Sequence, residues 1–397
     1  MKLGLVVAAV VAVLECGVVP VCAQDEPSLK FGRNLQIDFR VKMQVDVREG
    51  ELDINRKRVG IEGRFLKHFE YQIERELDSD RPWRDVFVDA QLFESARVRG
   101  GHFKLPFGLD QLTSPTRLDF VYRSRVGQDL TPGRDTGLSL HGRLMGRRLG
   151  YELGAFSRDG DNARWGERRE NPGAGATVAA RFTVRPYRAA STSALRKLEL
   201  GVNATAGDIA EGRHSLRSRT IGGEELFEPV YVSGRRLRVG ADASWRSQGF
   251  SAAVEGLRVR DERRGQGVLG DDLQPVLSSG WYASGSWLMT GETKTDRIDP
   301  RRPLFQGGIG ALELAARVER IGMASGASDE APARHPRAVR LLESSNQLMT
   351  LGVNWYLNRW MKVQANAICE KRGHSSDAAW SGRSVVWTPV FRVQVVL

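Results

Sequence analysis

The sequence predicts an all-β chain: a transmembrane antiparallel β-barrel of about sixteen strands. Three observations carry this expectation. The 397 residues have a mean hydropathy of −0.36 with 41% hydrophobic residues, and the one long apolar run, Leu3–Leu14, falls short of the ~20 residues a transmembrane helix needs. Apolar and polar residues alternate strictly over stretches of up to fourteen residues, well beyond the ~5–6 of a globular strand. Short joins and long polar stretches alternate between these segments, as they do in outer-membrane barrels.

The first element is an export signal. Lys2 gives a positive start, Leu3–Leu14 the apolar stretch and Val21-Cys22-Ala23 a cleavage site. Residues 1–23 are therefore expected as a signal peptide and 24–397 as a single barrel domain. Cys16 follows Glu15 and Cys22 follows Val21, so neither sits after the small residue that lipidation requires. Only Cys369 remains after cleavage, which excludes an intramolecular disulfide. The net charge of +11 and pI near 9.8 would suit a nucleic-acid partner, but an exported chain does not meet one. Disorder is excluded as well, because Val, Leu, Ile, Phe and nine Trp run through the whole chain.

Strands follow. Leu35, Ile37, Phe39, Val41, Met43, Val45 and Val47 alternate with Gln36, Asp38, Arg40, Lys42, Gln44, Asp46 and Arg48, and the pattern returns at 69–74, 85–92, 198–205, 237–246, 349–357 and 391–397. Period two sends alternate side chains to opposite faces. A soluble sandwich turns the apolar face inward, whereas a bilayer barrel turns it onto lipid. Segments this long fit a tilted strand crossing a membrane, and a polar face of Arg, Lys, Asp, Glu, Gly and Ser fits a wet lumen. Trp245, Trp281, Trp287, Trp355, Trp360, Tyr71 and Phe391 are candidates for interfacial girdles.

Joins at Leu66-Lys67-His68, Glu94-Ser95-Ala96, Gly146-Arg147-Arg148, Gln248-Gly249 and Asn358-Arg359 are short. Long loops are expected at about 48–56, 78–84, 108–135, 157–174, 207–234, 261–278, 321–345 and 371–384. Sixteen strands then take ~23 residues each with their connections. Residues 292–308 break the parity, being long where a short turn belongs, so fourteen and eighteen strands stay open.

The run Gly101-His102-Phe103-Lys104-Leu105-Pro106-Phe107-Gly108-Leu109-Asp110-Gln111-Leu112-Thr113-Ser114 resembles the phosphate-selective porins O and P, a family of outer-membrane anion channels. Gly280-Trp281-Tyr282, Leu288-Met289-Thr290-Gly291-Glu292, Leu312–Arg317 and Gly352–Asn358 follow in family order, so the resemblance covers nearly the whole mature chain. It implies a homotrimer of sixteen-stranded barrels in the bacterial outer membrane, among its lipid and lipopolysaccharide. It also implies that the third extracellular loop, about 108–135 in the parse above, folds into the lumen as a constriction. Inorganic phosphate, polyphosphate or other small anions are the implied cargo, diffusing passively without a cofactor or metal.

Candidate anion-binding residues at the constriction are Lys104, Thr113, Ser114, Arg117, Arg123, Arg125 and Arg134; fixed guanidinium groups stay charged and match phosphate oxygens. Strand parity adds lumen-facing Arg40, Lys42, Arg58, Arg64, Arg143, Arg238, Arg246 and Arg317, with Arg181, Lys362 and Arg392 on the same wall. The family's arginine ladder implies that some of these guide anions. Ordinary lumen lining is the plainer reading, since Asp38, Asp46, Asp89, Glu199, Asp242, Glu255, Glu313 and Glu370 share that wall. Phosphate-selective members carry a lysine where this chain has Gln111 and a second serine where it has Pro115. One cation and one hydroxyl fewer imply a broader anion preference.

The rival reading is a barrel of structural, adhesive or enzymatic role without ion selectivity. An enzyme would need a nucleophile beside a base, and Ser139 with His141 is the nearest arrangement, yet Gly137-Leu138-Ser139-Leu140-His141 matches no nucleophile elbow. The remaining histidines show no metal-ligand spacing. The expectation is a channel, not an enzyme.

Overall fold

The computed structural model describes residues 28–374 and 385–397, except 32–34, 49, 78, 80–81, 163–174, 190–193, 213–215, 217, 224–225, 228–229, 326–332 and 335–343. The expected signal peptide lies outside the described residues.

The chain forms a closed antiparallel barrel of sixteen strands with one extra strand at its seam. The extra strand is β1 (Ser28–Phe31). The wall then runs β2 (Leu35–Arg48), β3 (Glu51–Phe65), β4 (Phe69–Glu76), β5 (Trp83–Phe93), β6 (Ala96–Lys104), β7 (Arg134–Leu144), β8 (Leu149–Phe156) and β9 (Thr177–Val184). It continues through β10 (Glu199–Gly212), β11 (Val232–Ser247), β12 (Phe250–Arg263), β13 (Leu273–Leu288), β14 (Ala311–Ser325), β15 (Ser344–Tyr356), β16 (Met361–His374) and β17 (Val385–Val396). Each strand pairs with the next, and β17 closes onto β2 from Val390↔Arg48 to Val396↔Lys42. Beyond that register β1 takes over the same edge of β2, from Ser28↔Asp38 to Phe31↔Leu35.

Burial is inverted relative to a soluble protein. Val202, Leu138 and Trp387 are more than half exposed on the outside, while Glu255, Glu313, Asn354 and Gln364 are fully buried inside. A lipid-facing wall needs no protein cover for its apolar side chains, and the lumenal charges must find partners with one another.

The short joins fall where expected, at one end of the barrel, hereafter the turn end. Several expected long loops at the opposite, loop end are shorter. Residues 48 and 51–56 are strand: β2 ends at Arg48 and β3 begins at Glu51, the two residues paired with each other. Residues 207–212, 232–234, 261–263, 273–278, 321–325, 344–345 and 371–374 also belong to strands. The cause is physical: above the apolar band both faces of a strand meet polar surroundings, so period two fades while the hydrogen-bond ladder continues. Residues 289–310 remain a long connection at the turn end, containing the 3-10 turn Leu304–Gln306, and the count is sixteen despite them. Trp360, expected on the outer girdle, is buried beneath the guanidinium groups of Arg297 and Arg359, each 4.7 Å from its ring centre.

Candidate functional site

Between β6 and β7 the chain turns into the barrel. Pro106 cannot continue the ladder, and Gly108 at φ +81° allows the reversal. Two short helical turns follow, Leu109–Leu112 and Arg125–Asp129, with the 3-10 turn Pro115–Arg117 between them. Ser124 caps the second helical turn, its Oγ accepting from Gly127 N at 2.9 Å. Asp110 then ties the turns together by accepting from Ser124 N at 3.0 Å.

This third long loop is fixed to the far wall by its own backbone. Glu255 on β12 accepts from Leu109 N at 2.6 Å and Asp110 N at 3.1 Å. Glu319 on β14 accepts from Arg125 N at 2.6 Å, and Asn366 on β16 from Val121 N at 2.7 Å. Wall donors answer the loop carbonyls: Asn354 reaches Asp119 O at 2.9 Å, Lys362 reaches Leu118 O at 2.9 Å, and Gln394 reaches Thr116 O at 3.0 Å. A loop crossing a wet lumen thus has its polar backbone satisfied by side chains.

Two other segments hold it from either end. Lys294, in the 289–310 connection, donates to Asp119 Oδ1 at 2.6 Å and to Glu313. Burial works against this ammonium, yet Asp119 and Glu313 hold its pKa above the ordinary lysine value. From the loop end, Ser218 donates to Asp129 Oδ2 at 2.5 Å, and Arg48 donates to Ile221 O at 2.5 Å. Burial pushes the Asp129 carboxyl up to about 6 despite Arg125 and Ser218, with Glu319 adding to the rise. Phe107, Val126 and Leu130 pack with Leu216, Phe227 and Val230 in the same apolar cluster.

Most candidate site residues end on protein acceptors. Lys104 Nζ donates to the carbonyls of Gln111, Leu112 and Thr113 at 2.6, 3.3 and 3.2 Å. Arg123 donates to Asp110 O and, at 2.6 Å, to Thr113 O; burial first and foremost lowers its pKa below the usual arginine value. Arg134 grips both carboxylate oxygens of Asp85, at 3.1 and 2.8 Å. Thr113 Oγ1 donates to Leu109 O, and Ser114 Oγ lies 3.0 Å from Thr116 Oγ1. Arg125 is buried.

On the wall, Arg40 pairs with Glu62, Lys42 with Glu74, and Arg58 with Glu74 and Glu76. Arg181 pairs with Asp242, Arg238 with Asp159 and Arg392 with Asp46. Arg317 reaches Tyr122 O at 3.1 Å and Glu319 at 3.2 Å, and Arg143 lies 4.0 Å from Glu199. Arg64 is exposed on β3. Arg117 and Arg246 stay open to solvent and share Asp296, at 3.0 and 2.5 Å.

On the turn side of the loop lies a cavity of about 680 Å³, lined among the described residues by thirteen Lys and Arg against six Asp and Glu. Lys294, Arg297, Arg99 and Arg359 belong to that lining and were not among the candidates. For Lys294 and Arg297 the signal in the sequence was the broken parity at 292–308, which marked a turn too long to be only a turn; Arg99 on β6 and Arg359 in a short join carried no such signal. On the loop side a smaller cavity of about 240 Å³ gathers Arg48, Arg123, Arg125, Arg219 and Arg317 against Asp129 and Glu319. Ser139 and His141 engage different carboxylates, Glu152 at 3.4 Å and Asp89 at 2.8 Å.

An apolar outer wall, a charged interior and a loop pinned across the bore together define a porin of the bacterial outer membrane. The chain belongs to the phosphate-selective porin O and P family, whose model matches residues 29–382. In fold it is similar to outer-membrane expressed OmpT of Vibrio cholerae, at 10% identity and TM-score 0.54 over 94% of this chain and all of that one. It is likewise similar to an anion-selective porin from Comamonas acidovorans (13% identity, TM-score 0.53, 91% and 99% of the two chains). Salmonella typhi OmpF, in complex with daunomycin, gives 10% identity and TM-score 0.54 over 94% and 100%. No curated protein sequence matches the chain.

Proposed function

We propose that this porin passes small anions by passive diffusion, with a broad preference that takes phosphate as one cargo among several. The observation that carries the reading is the excess of cations around the turn-side cavity. Pairing removes most of the guanidinium groups from direct contact with a solute but leaves their surplus charge in place, and a narrow lumen focuses that field. Arg117, Arg246 and Arg40, with half to a third of their side chains accessible, are the cations a passing ion meets. Lys104, Arg123 and Arg134 act earlier in the chain of cause, by shaping the loop. Gln111 and Pro115, where phosphate-selective members place a cation and a hydroxyl, favour breadth over phosphate specificity.

The same reading has residues 1–23 removed on export and the long loops facing outward. It has the barrel assembling as a homotrimer, as Vibrio cholerae OmpT does in its trimer form. Planar-bilayer reversal potentials in a salt gradient test it. Anion selectivity that fades toward unity near 1 M salt, where the Debye length is ~3 Å, is the expected result. A cation-selective reversal potential overturns the proposal.

A further inference from the structure

The lumenal cations mostly end on protein acceptors; two on the outer wall do not. Arg258 on β12 and Arg320 on β14 face outward, in the same parity as exposed Val254 and Val318. Neither has an acceptor or ion-pair partner among the described residues. The register puts Arg258 opposite Ser279 and Trp281 opposite Arg320, so one strand, β13, separates the two guanidinium groups. Gly322, paired with Ser279, adds no side chain, and the result is a hollow of about 780 Å³ lined by Arg258, Arg320, Ser279, Trp281 and Leu277.

Height along the wall gives the hollow its meaning. At the turn end Phe250 and Trp287 stack at 5.9 Å as an outer aromatic pair. Arg258 lies eight residues further along β12, ~20 Å higher for a rise of ~3.3 Å per residue and a tilt of ~40°. That is close to the far edge of an apolar band ~25 Å tall, where lipid headgroups begin. An unpartnered arginine on a lipid-facing wall is unfavourable unless something of opposite charge meets it. A planar guanidinium matches phosphate oxygens; Trp281, Val254 and Val318 offer exposed apolar surface level with the arginines and below them, while Leu277, opposite Arg260, lies above.

We infer that this hollow is a lipid site, in which Arg258 and Arg320 together hold the phosphate headgroup of a lipid in the loop-end leaflet, with an acyl chain lying along Trp281 and Val318. The assignment is independent of which ion the lumen prefers.

Native mass spectrometry of the detergent-solubilised full chain tests it, with phosphatidic acid and phosphatidylcholine as competing probes. The wild type is expected to retain phosphatidic acid preferentially, and Arg258→Gln with Arg320→Gln to weaken that preference about tenfold or more. Arg264→Gln, whose arginine is already paired with Glu262 at 2.9 Å, should leave it unchanged. Equal retention of both lipids by the wild type overturns the proposal without any variant having to fold. So does an unaltered preference in the folded double variant, or an equal loss in Arg264→Gln, which would mark a net-charge effect. Displacement of the lipid by inorganic phosphate alone would identify a solution-anion site and overturn the lipid assignment.

Discussion

Arg123 and Arg117 belong to the same loop and do different work. Arg123 spends its donors on Asp110 and Thr113 carbonyls, whereas Arg117 meets solvent beside Asp296. Arg117→Ala removes a unit charge ~6 Å from the ion path, ~0.7 kcal/mol in water, and should lower the anion-to-cation permeability ratio about threefold. Arg123→Ala takes the side-chain donor from Asp110 O, ~1–3 kcal/mol, and leaves Thr113 O to Lys104 alone; it should raise open-channel current noise with little movement of the reversal potential. The sequence placed both arginines in the loop but could not separate their roles. The partners that decide them are backbone oxygens positioned by the fold, and on the wall they come from strands far apart in sequence, as with Arg392 on β17 and Asp46 on β2. Asp129 offers a pH test. Its carboxyl titrates near 6 rather than 3.8 because it is buried, so the folded loop favours the protonated form. A penalty on the packing of Ser218 over this loop is absent below about pH 4, grows through the interval and is complete above pH 6, reaching about 3 kcal/mol. Amide exchange across 125–130, corrected for its intrinsic pH dependence, should therefore quicken between about pH 4 and 6 and level off above, and Asp129→Asn should flatten that dependence.

The constriction loop has almost no regular structure of its own, and its shape comes from the wall. Glu255, Glu319 and Asn366 each hold backbone N–H groups of the loop from a different strand. Glu255→Ala combined with Glu319→Ala strands three buried donors, at ~1–3 kcal/mol apiece. Single-channel conductance should rise and selectivity fall together, with heat-modifiable gel migration confirming an intact barrel; unchanged conductance would show that the loop stays in place without them. Period two made the wall legible in the sequence, because a strand between lipid and water must alternate. The loop's pins were not legible, since Glu319 and Asn366 look like any other lumenal polar residue until Arg125 and Val121 arrive opposite them. The pairing of β2 and β3 up to Arg48 and Glu51 was missed for the converse reason: strand ends raised above the bilayer lose the contrast that reveals them.

At the scale of the whole molecule, charge and apolar surface are distributed by side. The interior places acids against bases and keeps a cationic surplus around the bore, while the outer wall is apolar through the bilayer and basic at Arg258 and Arg320. Net charge read from composition alone could not distinguish these locations; strand parity could, for the wall, and only the folded chain could for the loop. The clamp on the constriction has a mechanical corollary. Held by Lys294 beneath, by Ser218 above and by three strands at its side, the loop is a cross-brace and not a flap. A braced aperture has its calibre set before any solute arrives. Current through it should accordingly rise in proportion to voltage of either sign, without the stepwise closures of a hinged gate.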